Sequence, residues 1–222
     1  MTSVLCTRQT FGLSTSFSPL EIMTYWYTYI LRSKKDSLFY TGCTNDLRKR
    51  LRQHNVGYMV ADALAQAEGI GGFRAKFSGD FASAGDWALL KPTTFMNVSG
   101  DSVQPCAAFL RVPADEIIIV HDELDIPFGE VRIKFGGGHA GHNGLRSLVG
   151  RLGTPDFCRV RVGIGRPAPT FVGDVASYVL SDFALEERRL LPDIVDRAVG
   201  CVRAIATMGV QAAMNQCNTL RP

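Results

Sequence analysis

The segment EIIIVHDELD, Glu116–Asp125, has the strongest strand pattern in the chain. Four consecutive branched apolar residues are typical of a strand that is buried on both faces of a sheet. The run ends in polar residues, His121 and Asp122, at the carboxyl end of the predicted strand. Because ligands of α/β sheets bind beyond the carboxyl ends of the strands, we expect a functional site there.

Strand and helix patterns alternate on both sides of this segment. Downstream lie a strand EVRIKF, a glycine loop, a helix NGLRSLVGRLG, a strand CRVRVGIG and a helix from about Ala184 to Met208. Upstream, apolar residues recur at helical spacing from Val56 to Ala67. Two β-rich runs before them, YWYTYILRS and LFYTGCT, predict a hairpin. This succession of strand and helix patterns predicts an α/β single domain with a mixed, mainly parallel central sheet flanked by helices. A β-hairpin plus helix extension precedes that domain.

Length and composition indicate a globular protein. The 222 residues suffice for one substantial domain. No apolar run approaches the roughly 18–20 residues that span a bilayer, so we expect no membrane partner. The six cysteines form no CxxC pair, which predicts reduced thiols and a cytoplasmic location. Residues 1–23 predict a disordered extension, and either Met1 or Met23 is the start.

The positive charge is concentrated in one segment. Residues 24–54 contain seven Lys or Arg against two acids, whereas residues 55–222 contain sixteen against eighteen. Four of the basic residues lie within five positions: Arg48, Lys49, Arg50 and Arg52. Such a cluster forms either a solvated helix face or a contact for nucleic-acid phosphate, and both interpretations stay open.

Three polar clusters contain the residues that are suited to chemistry. They are KPTTFMNVSG with Asn97, VHDELDIPFG with His121 and Asp122, and KFGGGHAGHNGL with His139, His142 and Asn143. Separately, they are typical of a helix cap, a satisfied polar pair and a flexible loop. Together, they supply a histidine base, a carboxylate to orient it and amide donors for an oxyanion. Since there is no G-x-S-x-G motif and no cysteine beside a histidine, direct attack of water on a carbonyl is favoured.

A zinc site is the competing interpretation of the same clusters. Four residues have side chains that bind zinc: His121, Asp122, His139 and His142. No HExxH motif or regular ligand spacing supports it, so zinc is the weaker of the two interpretations.

From His54 onward, the chain resembles bacterial-type peptidyl-tRNA hydrolases. The matching segments are QHNVGYMVADALA, LLKPTTFMNVSG, IIIVHDELDIPFGEVRIKFGGGHAGHNGLRSL, FCRVRVGIGRP and AAMNQCN. The resemblance implies a domain over residues 54–222 that uses water to hydrolyse the ester of N-blocked aminoacyl- or peptidyl-tRNA.

The resemblance also implies roles for individual residues. His54 would be the general base, and Asp122 would hold and polarise its imidazole. Five residues would bind substrate: Phe95, Met96, Asn97, His142 and Asn143. Arg132 and Lys134, two positions apart on one strand, would meet tRNA phosphate without sequence preference. The resemblance implies that no metal or cofactor takes part, and it also implies a monomer, since the family is usually monomeric.

Residues 24–53 depart from this family. Its hydrophobic first strand and G-x-x-N-P-G motif are absent, and Thr44 stands at the position of the motif asparagine. The segment instead resembles the start of GIY-YIG nucleases, with Tyr27-Thr28-Tyr29 and Tyr40-Thr41-Gly42 in place of the two triplets. It ends before the glutamate that holds the metal ion in those nucleases, which implies a truncated module without nuclease activity.

Two alternative interpretations remain. In one, the chain is a catalytically impaired tRNA-binding fusion with a non-functional nuclease-like N-terminus. In the other, it is a gene-model chimera that joins two reading frames near Gln53–Asn55, a short motif that both families share.

Overall fold

The computed structural model describes the backbone of residues 27–32 and 40–43, together with residues 55–172, 178 and 182–219. Its strands are β1 (Tyr27–Arg32), β2 (Tyr40–Cys43), β3 (Arg74–Lys76), β4 (Gly79–Ala84), β5 (Trp87–Pro92), β6 (Ile118–Glu123), β7 (Val131–Phe135) and β8 (Cys158–Gly163). Its helices are α1 (Val56–Ala67), α2 (Gly100–Leu110), α3 (Asn143–Leu152), α4 (Leu185–Met208) and α5 (Val210–Cys217). Short 3-10 turns span Met96–Val98 and Ala114–Glu116.

The strands form one mixed sheet in the order β3-β4-β5-β2-β1-β6-β8-β7. β6 pairs in parallel with β8, and β7 returns antiparallel along β8. The helices pack against this sheet and against one another, α1 with α4 and α2 with α3. The predicted α/β class, with a single domain and a mixed sheet flanked by helices, is therefore confirmed.

The predicted balance of strand directions needs correction. The sequence analysis predicts a mainly parallel sheet, but only the β2–β5 and β6–β8 pairings are parallel among the described strands, and six pairings are antiparallel. The connections β1–β2, β3–β4 and β4–β5 are too short for the crossover that parallel neighbours require. A continuous apolar run shows that a strand is buried, but it does not show the direction of its neighbours.

The predicted hairpin forms, although not as an extension that precedes the domain. β1 and β2 pair antiparallel, with Thr28 opposite Gly42, and the hairpin lies between β5 and β6. On its other side β1 pairs with β6, where Thr28 lies opposite Val120. The backbone N–H and C=O groups of the buried strand β6 need a partner on this side, and β1 provides it. The helix predicted after the hairpin lies outside the described residues.

The centre of the sheet is as apolar as the segment Glu116–Asp125 predicts. Ile118, Ile119 and Val120 are fully buried, and His121 is only 1% exposed. Helix α1 covers part of this layer with Val60 and Leu64, two residues of the predicted apolar face. None of the helices in the described part of the chain is long and apolar enough to cross a membrane. Four cysteines of that part are free and buried: Cys106, Cys158, Cys201 and Cys217.

Helix α1 begins at a cap that the sequence contains beside the candidate base. Asn55 is the N-cap, and its side-chain oxygen accepts a hydrogen bond from the backbone N–H of Tyr58 at 3.0 Å. Asn55 is only 7% exposed, so the start of α1 is fixed within the protein. This cap fixes the end of α1 that adjoins His54 in the sequence.

The outer edge of β7 is closed by one side chain from the C-terminal segment. The Asn218 carboxamide accepts a hydrogen bond from the Ile133 N–H at 2.7 Å and donates one to the Ile133 carbonyl at 3.0 Å. It thereby replaces one residue of a neighbouring strand and protects an open sheet edge. Ile133 lies between Arg132 and Lys134, so this contact also fixes the strand that holds both cations.

Replacing Asn218 by alanine is expected to lower the free energy of unfolding by about 1–3 kcal/mol, because two hydrogen bonds are lost. Urea unfolding followed by circular dichroism measures the effect. Asn215 on α5 is the matched control, since its exposed side chain accepts a single hydrogen bond within the described part of the chain, from Gln211 at 3.3 Å. Its replacement by alanine should change stability by less than about 0.5 kcal/mol. Equal effects of the two changes would contradict the edge role of Asn218.

Candidate active site

The carboxyl end of β6 presents its two polar side chains to opposite faces of the sheet, because side chains alternate along a strand. Asp122 is 7% exposed, and its Oδ2 atom has no hydrogen-bond partner in the described part of the chain. Burial, followed by the nearby charge of Glu123, raises the pKa of the Asp122 carboxyl to about 8. A buried carboxyl with a free oxygen is suited to receive a cationic or N–H partner.

His121 has a different role from its neighbour. Its Nδ1 lies 2.7 Å from the backbone carbonyl oxygen of Asp122, and since a carbonyl only accepts, this nitrogen holds the proton. Burial lowers the pKa of His121 to about 4, so the ring is neutral at physiological pH. His121 is therefore a buried, neutral core histidine rather than a general base.

The glycine loop, defined here as residues 136–142, joins β7 to α3. His142 is the N-cap position of α3, and its ring packs edge-on against His121 with 5.1 Å between the ring centroids. Burial also lowers the pKa of His142 well below its usual value, with Arg159 acting in the same direction. Asn143 is the half-buried first residue of α3, and its Oδ1 accepts a hydrogen bond from Arg146.

The turn that contains Asn97 packs directly against α3. The backbone N–H of Gly100 donates to Ser147 Oγ at 3.0 Å. A Cβ atom at Gly100 would lie 2.5 Å from the Ser147 carbonyl oxygen, so only glycine permits this approach. Asn97 and Phe95 are exposed next to this contact, Phe95 by 58%. The structure thus places the Asn97 turn and the Asn143 helix on adjoining elements.

Both predicted phosphate-binding residues are exposed on one face of β7. Arg132 forms an ion pair with Glu130, whereas Lys134 has no ion pair among the described residues. A Cβ atom at Gly137 would lie 3.4 Å from Lys134 Nζ, so the ammonium lies against the glycine loop. Lys134 is therefore the more available cation.

Two further arginines, which the sequence motifs did not identify, belong to the same face. In the β7–β8 register Arg132 lies opposite Arg161, and Lys134 lies opposite Arg159. Arg161 donates twice to Glu123 Oε2, at 3.0 and 2.9 Å. The sequence contains a pattern that could have identified them, because the two arginines of CRVRVG have the same i, i+2 spacing as the two cations of VRIKF.

These elements enclose a cleft of about 220 Å³ beyond the carboxyl end of β6. Its lining includes Asp122, Lys134, His139, His142, Arg159 and Arg161. Arg161 is balanced by Glu123, and Arg166 is balanced by Asp125. The remaining positive charge of Lys134 and Arg159 suits a polyanionic ligand.

The zinc interpretation finds no geometric support in this part of the chain. No group of three or more His, Cys, Asp or Glu side chains among the described residues is arranged to hold a metal ion. His121 and Asp122, two of the four candidate ligands, alternate across the sheet and do not converge.

The side chains of two predicted site residues, His54 and Met96, lie outside the described part of the chain. His54 lies outside the described residues, directly before the α1 cap at Asn55. Met96 lies in the Met96–Val98 turn, but its side chain lies outside the described part. The roles of both residues stay predictions.

The fold and the site together define a class. The protein is a single-domain α/β protein with a polar, cation-lined cleft at the carboxyl end of its central strand. A family model described as peptidyl-tRNA hydrolase matches residues 42–222. The match begins twelve residues before the boundary at residue 54 that the motifs predicted. The chain belongs to the peptidyl-tRNA hydrolase family.

Named relatives and solved structures agree with this assignment. The chain is 56% identical over 171 residues to the peptidyl-tRNA hydrolase of Sorangium cellulosum, covering 75% of this chain and 77% of that protein. It is 48% identical to the peptidyl-tRNA hydrolase of Geotalea daltonii, covering 75% and 87%. The crystal structure of peptidyl-tRNA hydrolase from Acinetobacter baumannii is similar, with a TM-score of 0.71 and 37% identity over 78% of this chain and 91% of that one.

Proposed function

We propose that this chain hydrolyses the ester bond of N-blocked aminoacyl- or peptidyl-tRNA and releases peptide and free tRNA. The family match over residues 42–222 is the observation that carries the proposal. The geometry supports it, because the buried Asp122 carboxyl lines a cleft with surplus positive charge, and the helix that begins at Asn143 contributes Leu145 to the same lining. The alternative of an inactive tRNA-binding fusion has no comparable support.

In the proposed mechanism His54 removes a proton from a water molecule. The water oxygen then bonds to the ester carbonyl carbon, and the oxygen of that carbonyl becomes an oxyanion. Asn97 and Asn143 offer neutral N–H donors to substrate and to this developing charge. When the tetrahedral centre collapses, the bond to the ribose oxygen breaks, and that oxygen receives the proton from His54. Asp122 holds the imidazole and stabilises its cationic form.

Phe95 and Met96 contribute apolar surface to substrate binding in this proposal. Phe95 is a large exposed aromatic side chain beside the Asn97 turn, where it can stack on a base or ribose of the tRNA end. Lys134 binds backbone phosphate, with Arg132 as a weaker contributor while Glu130 holds it. These contacts suit an enzyme that acts on tRNAs of any sequence.

The proposal is tested with the purified full chain and N-blocked aminoacyl-tRNA. Release of labelled blocked amino acid under multiple-turnover conditions is the expected result, with the unblocked aminoacyl-tRNA as the matched control substrate. A folded chain that binds tRNA but releases no labelled product would refute the proposed activity. That outcome would instead support the tRNA-binding alternative.

Lys134 offers a separate prediction about tRNA affinity. Replacement by alanine is expected to weaken binding of deacylated tRNA and to reduce the slope of log K against log salt by about one unit, because one phosphate contact is lost. Fluorescence titration over a range of salt concentrations measures both values. Arg203→Ala is the control, since Arg203 pairs with Glu68 on a different surface, and its slope should equal that of the unaltered chain. An unchanged slope in Lys134→Ala would contradict the phosphate role.

We also infer that the protein acts as a cytoplasmic monomer and that residues 24–53 derive from a truncated nuclease-like module. The second inference is supported by the sequence, because the nuclease-like segment ends before the glutamate that holds the metal ion in GIY-YIG nucleases. Gel filtration with light scattering tests the first inference. Incubation of single- and double-stranded nucleic acid with the chain and Mg²⁺ tests the second, and cleavage would contradict it.

A further inference from the structure

The glycine loop has a backbone conformation that needs external support. Gly136, Gly137 and Gly141 have φ angles of +60°, +83° and +77°, and Ala140 has +46°. Positive φ is unfavourable for a residue with a side chain, so the position of Ala140 has to be enforced by the surroundings. The loop ends at His142, which lines the cleft, and Asn143 follows as the first residue of α3, so the shape of the loop decides where both residues lie.

Arg159, on β8, binds the glycine loop through two hydrogen bonds. Its Nη1 donates to the carbonyl of Gly138 at 2.9 Å, and its Nη2 donates to the carbonyl of Gly137 at 2.5 Å. Arg159 is only 3% exposed, and its guanidinium carbon lies 5.1 Å from the centroid of the Phe157 ring. The planar fork of arginine matches two adjacent carbonyl groups, which a lysine ammonium cannot reproduce.

The other hydrogen bonds of the loop lie at its two ends. Gly136 N–H donates to the Phe157 carbonyl at 3.0 Å, and His142 N–H donates to the His139 carbonyl at 2.8 Å. Between these ends, within the described part of the chain, Gly137 and Gly138 are connected to the sheet by the two hydrogen bonds from Arg159. The middle of the loop therefore depends on one side chain.

A packing role alone does not account for a charged group at this place. Burying a guanidinium removes its hydration, and Arg159 Nε has no hydrogen-bond partner among the described residues. An apolar side chain on β8 would fill the space without this loss. The charge is retained where the carbonyls of Gly137 and Gly138 and a cleft for an anionic ligand meet.

We propose that Arg159 is the positioning residue of the reaction, because its fork fixes the glycine loop so that Asn143 and His142 face the substrate. The inference rests on the proposed function. Arg159 does not touch the reacting atoms; it acts through the loop. A misplacement of about 1 Å in such a contact can lower a rate about 100-fold, so the effect appears in turnover rather than in tRNA affinity.

The test compares Arg159→Lys with Arg151→Ala in the full chain. The lysine variant keeps the positive charge and much of the volume but loses the fork. Arg151 is the matched control, since it is an exposed arginine at the end of α3 that pairs with Asp101 and does not line the cleft. We expect Arg159→Lys to lower kcat about 10- to 100-fold with little change in the dissociation constant of deacylated tRNA. Arg151→Ala should leave kcat unchanged.

Amide hydrogen exchange provides the readout that a general loss of stability would not produce. In Arg159→Lys, exchange should accelerate at residues 137–142 and stay unchanged at the core strand β6. In Arg159→Ala, guanidinium ion added at millimolar concentration should partly restore kcat. Unchanged kcat, or slower turnover with equal acceleration of exchange throughout the domain, would overturn the proposal. Failure of the unaltered chain to turn over would instead refute the proposed function, and loop exchange alone would then decide the role of Arg159.

Discussion

Replacing His54 by alanine is expected to lower kcat for N-blocked aminoacyl-tRNA by about 10²- to 10⁴-fold, the usual contribution of a general base. Without the imidazole, the attacking water has no group with a suitable pKa to receive its proton. Affinity for deacylated tRNA should stay close to that of the unaltered chain, because the cations of the cleft are untouched. Single-turnover release of labelled blocked amino acid measures the chemical step directly.

The control for His54 distinguishes lost chemistry from damaged structure. Added imidazole should restore part of the turnover in His54→Ala, because a free base can occupy the vacated space. Gln53→Ala changes the preceding residue and should retain full activity. If His54→Ala turns over at the rate of the unaltered chain, the base is another residue. A loss that imidazole does not reverse, combined with weaker tRNA binding, would indicate a structural role.

Replacing Asp122 by asparagine is expected to lower kcat about 100-fold or more, because the imidazole loses the carboxyl group that orients it and that, once ionised, stabilises the imidazolium charge. Asp182→Asn is the matched control, since Asp182 is an exposed acid that pairs with Arg188 and does not line the cleft. Its replacement should leave kcat within about twofold. Equal rates for Asp122→Asn and the unaltered chain would contradict the role of Asp122.

The buried Asp122 carboxyl also predicts how stability depends on pH. Burial raises its pKa to about 8, whereas an aspartate in the unfolded chain titrates near ~4. Between these values the folded state holds a proton that the unfolded state has released. Stability from this group is therefore present below about pH 4 and is lost as pH rises toward 8. Asp122→Asn should remove this contribution.

His54 should modify that dependence if the two residues form a pair. A cationic imidazole beside Asp122 favours the ionised carboxyl and reduces the rise of its pKa. Stability should therefore fall more steeply between pH 5 and 8 in His54→Ala than in the unaltered chain. Urea unfolding at several pH values measures both slopes. Identical slopes would mean that His54 and Asp122 do not interact.

Much of the fold was predictable because local patterns report burial and chain reversal. The branched run Ile117–Val120 predicted the central strand, and its residues are fully buried. The polar turn between the two β-rich runs predicted the β1–β2 hairpin, which the structure contains. The polar residues of the cleft were identifiable for the same reason, since they follow strands or precede helices where ligands usually bind.

Strand partners and cleft partners required the tertiary structure. The insertion of β1 beside β6 depends on which backbone groups remain unpaired after the sheet forms, and no local pattern records this. In the sequence, Arg159 is an ordinary strand residue. Its role becomes visible only in the fold, where its guanidinium donates to the carbonyls of Gly137 and Gly138. The Asn218 contact spans 85 residues.

The sequence by itself determined which segments are buried, where the chain turns and which residue types are available for hydrolysis. Hydrophobic periodicity, turn composition and motif spacing are properties of neighbouring residues, so they can be read along the chain. Only the tertiary structure decided the strand directions, the balance of charge in the cleft and the support of the glycine loop. These depend on contacts between residues far apart in sequence, where register and burial are settled together.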